Sequence, residues 1–233
     1  MITLAQNYVN YFTEIEEHFQ RRRGTLLLLS TLDWALIESW REAGIPLAAV
    51  LRGIDDAFDK YEARKRSRAT SRINGLAWCS QAVMEAADQM KEAATGAHPR
   101  ADANSDFTTV QIGNHLRSAA EPLLAAPIAQ ETCRSIALHL QELASKTDYS
   151  SANLEQLETT LSALEEKLFA ALLSATPEPL LIEWKQQAAR DLAAFRARMQ
   201  AAQMQLVQRQ YLHKRLIEHY GLQRLSLFYM RHA

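Results

Sequence analysis

Apolar residues recur at three- and four-residue steps through almost all of this 233-residue chain, and short Gly- or Pro-bearing segments interrupt them. A period near 3.6 places such residues on one face of a helix. An all-α fold is therefore expected. Seven glycines and six prolines leave few breakers, and Ala, Leu, Glu, Gln and Arg lose little conformational freedom on entering a helix.

The first stripe, Leu4, Tyr8, Tyr11, Phe12, Ile15 and Phe19, predicts a helix over residues 3–22, with Arg21, Arg22 and Arg23 at its negative end and Gly24 stopping it. Ser30 followed by Asp33 reads as a capping box that opens a helix through Trp34, Leu36, Ile37 and Trp40. Gly44 closes it, Pro46 suits the next first turn, and Leu47, Val50, Leu51, Ile54, Phe58 and Tyr61 continue the period. A fourth helix is predicted over residues 70–94. Residues 1–95 thus read as a four-helix module with a helix-turn-helix-like pair. Residues 96–106, with Gly, Pro and small polar side chains and no apolar period, read as a linker.

Residues 107–233 are expected to form a second helical bundle. Leu154, Leu157, Leu161, Leu164, Leu168 and Ala171 alternate steps of three and four, and Ala188, Leu192, Phe195, Met199, Ala202 and Leu206 do the same beyond Pro177. The expectation is a long antiparallel hairpin. Past its seam, Leu212, Leu216, Tyr220, Leu225, Leu227, Phe228 and Tyr229 form an apolar tail that has to be covered. It either packs on the N-terminal module, the favoured reading, or docks on a partner, in which case these seven residues are the partner-binding positions.

Charge is unevenly distributed. Residues 101–183 carry 4 Lys/Arg against 12 Asp/Glu, and residues 184–233 carry 9 against 2, so the basic end has an acidic region of its own chain to lie against. Arg64, Lys65, Arg66, Arg68 and Arg72 form a denser basic run suited to phosphate contacts, and are the candidate nucleic-acid-binding residues. Against a groove-reading helix stand Asp55, Asp56 and Asp59 just before it.

No phosphate-binding glycine loop or glycine-framed nucleophile is present, so no catalytic residue is assigned. Glu14, Glu17 and His18 share a helix without the second Glu-x-x-His pair that a di-iron site needs, and no metal or other cofactor is expected. Cys79 and Cys133 are expected to be buried free thiols. The chain opens without a basic and apolar leader and its longest aliphatic run is Leu26 to Leu29, which implies a cytoplasmic protein without a membrane segment.

Leu29-Ser30-Thr31-Leu32-Asp33, Leu36-Ile37-Glu38-Ser39-Trp40 and Val50-Leu51-Arg52-Gly53-Ile54-Asp55-Asp56-Ala57-Phe58 resemble the helical module of the DnaD family of bacterial replication-initiation proteins. The likeness spans about residues 26–92. The Tyr-x-x-x-Ile-Leu-x-x-Trp helix of that module has no counterpart, since Ile73, Leu76 and Trp78 occupy other spacings. The resemblance implies a self-associating module that contacts DNA beside Arg64 to Arg72. The residues themselves lead first to a non-enzymatic interaction or scaffold protein, acting on a protein partner or a second copy and taking no small-molecule substrate. The nucleic-acid binder is the alternative.

Overall fold

A computed structural model describes residues 11–24, 29–65, 73–94, 109–145, 151–195 and 199–230. Among them every regular element is helical, as the apolar periodicity requires. In order these are α1 (Tyr11–Arg23), α2 (Thr31–Glu42), α3 (Leu47–Lys65), α4 (Ser80–Ala94), α5 (Thr109–Leu124), α6 (Gln130–Ala144), α7 (Ser151–Ala175), α8 (Glu178–Leu192) and α9 (Ala201–His219), with short 3-10 turns at Leu76–Trp78, Ala193–Phe195 and Leu227–Tyr229. Among the described residues no helix is long and apolar enough to cross a membrane.

The chain forms two compact units. One comprises Tyr11–Arg100 with Glu183–Lys214, the other Ala101–Ile182 with Arg215–Ala233. The division at 100/101 falls in the segment expected to be a linker, whose own residues lie outside those described. Residues 183–214 had been expected with the second bundle and instead group with α1–α4.

In the first unit, Ile15 and Phe19 of α1 are buried with Leu36, Ile37 and Trp40 of α2 and Val50, Ile54 and Phe58 of α3, and the Phe19 and Phe58 rings meet edge to face at 5.7 Å. The capping box forms as the sequence implies, with Ser30 Oγ accepting from Asp33 N–H and Asp33 accepting from Ser30 N–H. Gly44 takes φ +67°, a left-handed turn that only glycine adopts at little cost, and lets the chain reverse into α3. Asp33, 2% exposed, does more than cap: its Oδ1 accepts the Leu76 N–H at 2.7 Å and so ties the start of α2 to the turn before α4. A β-carbon on Gly75 would lie 2.8 Å from that oxygen, which is why glycine stands there. Close packing of α3 on α4 has a similar origin, since a β-carbon on Gly53 would fall 2.4 Å from Val83 Cα.

Residues 183–214 complete this unit. Gln203 donates to Ser80 Oγ at 2.8 Å, Arg209 to Glu42 at 2.6 Å, and Gln210 also donates to Glu42. Lys214 Nζ sits 4.0 Å above the Trp34 ring, on which the Phe12 ring also stacks at 3.6 Å.

In the second unit, α5 and α6 pack through Ile112, Leu116, Leu123, Cys133, Ile136 and Leu140, and α7 buries Leu157, Leu161, Leu168 and Leu172. The second arm of the expected hairpin is not one helix. Its α-helix α8 ends at Leu192 and is followed by the 3-10 turn Ala193–Phe195, residues 196–198 lie outside those described, and α9 begins at Ala201. Alternating apolar steps record which residues need burial but not against what. Leu192 and Met199 are buried.

Candidate functional site

The side of α3 that Gly53 turns to α4 continues along the helix as Ala57, Lys60, Tyr61 and Arg64, at steps of three and four. The turn and first helical residues after Gly75 bring Trp78, Gln81, Ala82 and Glu85 alongside. Together they line a cleft of about 440 Å³ within the first unit. Room for it comes from the small side chains Ala57 and Ala82, where larger ones would close the gap between the helices.

Its chemistry is mixed. Trp78 and Tyr61 are half-buried and give the cleft an aromatic wall, while Lys60, Arg64, Gln81 and Glu85 are exposed and form a rim of both charge signs. Lys60 Nζ lies 3.3 Å from Glu85 Oε2, and Gln81 Nε2 donates to Glu85 Oε1 at 3.0 Å. The Tyr61 hydroxyl is buried without a hydrogen-bond partner among the described residues, so a ligand or water that reached it would find an unused donor and acceptor. The described lining residues include no histidine, serine or cysteine. What they offer is aromatic surface, cations and amide or carboxylate hydrogen bonding.

Of the basic run, Arg64 is exposed and lines this cleft, and Lys65 is the last residue of α3. Arg66, Arg68 and Arg72 lie outside the described residues. Asp55 and Asp59, which follow each other on α3, are engaged within the unit: Asp55 Oδ1 lies 2.9 Å from His18 Nε2 and 3.5 Å from Arg22 Nε, and Arg22 also pairs with Asp59. His18 thus faces a single carboxylate across the helix pair. Among the described residues no group of three or more His, Cys, Asp or Glu is placed to hold a metal.

The apolar tail is buried in part. Leu216, Leu225 and Leu227 are buried and Leu212, Tyr220 and Tyr229 half-buried, whereas the side chain of Phe228 is not among those described. The expected cover is corrected for most of the tail: residues 215–230 group with α5–α7 and not with the N-terminal module, whereas Leu212 groups with α1–α4. Gly221, at φ +63°, turns the chain out of α9 into a segment without regular structure that side chains of α5 and α7 hold. Glu165, 7% exposed, accepts from Arg224 Nε at 2.8 Å and Nη2 at 2.9 Å and from Leu225 N–H at 2.9 Å, while Glu158 accepts from Leu227 N–H at 2.9 Å. Arg224 also covers the Tyr229 ring, 4.6 Å away. His115 Nε2 lies 3.2 Å from the Leu225 carbonyl, and burial, only partly offset by that hydrogen bond, holds its pKa below the ordinary histidine value. Basic tail and acidic middle do meet here, as the charge blocks imply.

Both cysteines are buried and unpaired. Burial, aided by the Asp33 charge, pushes the Cys79 thiol up to about 12, and burial also raises that of Cys133. At both, burial disfavours the thiolate.

Sequence reasoning placed Trp78 in the core and left Lys60, Gln81 and Glu85 unassigned. Their signal was present at helical spacing: small residues facing each other on two helices, each flanked by an aromatic and a charged neighbour. A profile for a family described as "Uncharacterised protein" matches residues 10–98, the stretch that holds the whole of this cleft. No curated protein and no solved structure matches the chain.

Proposed function

We propose that the chain is a non-enzymatic helical interaction protein that holds a segment of a protein partner in the cleft between α3 and α4. The observation that carries this reading is the pairing of half-buried Trp78 and Tyr61 with a rim of both charge signs. Aromatic rings and arginine supply most of the binding energy in protein interfaces, and a polar rim sets orientation. A volume of about 440 Å³ accommodates a few side chains of an inserted segment, as in helix-in-groove recognition. Quantitative affinity capture from the native host with the full chain tests it, comparing wild type with Trp78→Ala and Arg64→Glu and using circular dichroism to verify folding. A protein captured by wild type and lost with both variants supports the cleft. Identical capture by all three removes it.

Nucleic-acid binding is the second reading, favoured by the exposure of Arg64 at the start of the run that continues through Lys65, Arg66, Arg68 and Arg72. A salt-dependent mobility shift abolished when Arg64, Lys65, Arg66 and Arg68 become Ala would promote it. Capture that disappears only after nuclease treatment would do the same.

A further inference from the structure

The outer face of α6 is unlike an ordinary solvated helix surface. Leu138 stands 56% exposed at its centre, and a shallow depression of about 710 Å³ runs along the same side, lined by Glu131, Arg134, Leu138 and Glu142 among others. At about 100° per residue, Glu131, Arg134, Leu138, Glu142 and Ser145 all project within roughly 40° of one direction, a stripe with steps of three and four. No other element supplies a lining residue to the depression.

The order of charges on this stripe is self-complementary. If two copies cross antiparallel with a twofold axis at Leu138, each position meets the one equally far on the other side of 138. Leu138 then faces Leu138, Arg134 faces Glu142, Ser135 faces Gln141 and Glu131 faces Ser145. No like charges are opposed, and the twofold symmetry makes the Arg134 to Glu142 contact twice. Arg134 is exposed and makes no ion pair among the described residues, and the Glu142 side chain is 72% exposed with only His139 near it, at 3.9 Å. Both are free to pair across the axis.

We propose that this face of α6 is a self-association surface whose occupant is the same face of a second copy, antiparallel about Leu138. It is separate from the α3/α4 cleft and stands whether or not that cleft binds a partner. A contact built on one helix per chain is smaller than a standard protein interface, so the dimer is weak and dissociates on dilution. Exposed charge pairs are screened by salt, so it also weakens as ionic strength rises.

Sedimentation velocity of the full chain over a wide concentration range tests the proposal. Wild type is expected to shift from monomer to dimer with concentration. Arg134→Glu and Glu142→Arg, each placing like charges opposite each other twice, should each weaken association by about tenfold or more. Leu138→Asp should abolish it. An equimolar mixture of the Arg134→Glu and Glu142→Arg chains should associate as wild type does, because in that heterodimer both contacts regain opposite signs. All three substituted positions are exposed, and unchanged helicity by circular dichroism shows that folding is intact. A wild type that remains monomeric throughout overturns the proposal. So does a dimer indifferent to the single charge reversals, or one that the mixture does not restore.

Discussion

The Asp33 carboxylate and the Leu76 backbone N–H, 43 residues apart in sequence, are joined at 2.7 Å inside the first unit. One short side chain thereby does two jobs, closing the capping box of α2 and anchoring the turn that leads into α4. Replacing Asp33 with Ala strands the buried Leu76 N–H, at about 1–3 kcal/mol, and removes the capping-box contact to the exposed Ser30, worth about 0.5–2 kcal/mol. The expected loss of about 2–4 kcal/mol is read from chemical denaturation. Gly75→Ala should also destabilise, by steric contact with Asp33 Oδ1 and not by backbone strain, since φ there is an extended −174°. In the Asp33→Ala background that contact is absent. The two losses should therefore add to less than their sum, by about 1 kcal/mol or more in a double-mutant cycle.

Gly53→Ala sets two effects against each other. In an exposed helix it would stabilise by up to about 1 kcal/mol through helix propensity. Here the new β-carbon would lie 2.4 Å from Val83 Cα and 2.5 Å from Val83 N, atoms of backbone that cannot rotate aside. Overpacking wins, and a net loss of about 2–3 kcal/mol is expected, measured as a fall in the denaturation midpoint. An unchanged or raised midpoint would mean that α3 and α4 separate freely.

Glu165 holds Arg224 and the Leu225 N–H in a site where water scarcely reaches. Glu165→Ala removes both carboxylate contacts to Arg224, whose side chain is only 10% exposed, and is expected to destabilise by about 3–5 kcal/mol, whereas Glu165→Leu combined with Arg224→Met should recover much of that loss. Amide hydrogen exchange at Leu225 and Leu227 reports the effect locally: both amides should lose protection in Glu165→Ala. Deleting residues 212–233 should unfold or aggregate the protein, because the deletion removes the buried Leu216, Leu225 and Leu227. A truncated chain with an unchanged melting temperature would show that the tail is dispensable.

His115 makes stability depend on pH with a definite sign. Its folded pKa lies below the ordinary 6.5, so between the two values the unfolded chain binds more protons than the folded one. Its contribution is complete above about pH 6.5 and is lost as pH falls toward the lower folded value. The denaturation midpoint of wild type should therefore drop between about pH 7.5 and about pH 5.5, and by less in His115→Gln. Equal drops in both proteins would assign the dependence to other groups.

How far the sequence is legible follows the distance over which each interaction acts. Ser30 and Asp33 could be read as a cap because both partners lie within one turn. Leu76 as a third member could not, since nothing local announces a contact 43 residues away. Apolar spacing likewise told that Leu216, Leu225 and Leu227 require cover while leaving the covering residues unstated. A clue lay in Glu158 and Glu165, seven residues apart and flanking Leu161 on the buried side of α7, where a carboxylate demands a donor. The second arm of the expected hairpin falls in two helices, α8 and α9, for the converse reason, in that a three-four alternation is satisfied by any apolar neighbour. In the cleft, Trp78 and Tyr61 look like core residues because their spacing is that of core residues. Only their half-exposure separates them.

The discontinuity of the first unit has a consequence for how the chain is made. Ser80 waits for Gln203, 123 residues later, and Glu42 for Arg209 and Gln210, 167 and 168 residues later. At synthesis rates of about 5–20 residues per second, the α4 side of that contact is without its partner for roughly 6–25 seconds. Helices α1–α4 can be paired by then, but the surface awaiting residues 183–214 stays bare while the whole of α5–α7 is translated. During those seconds the nascent protein exposes to its neighbours a face that the finished one never shows, and it is there that a chaperone would find its work.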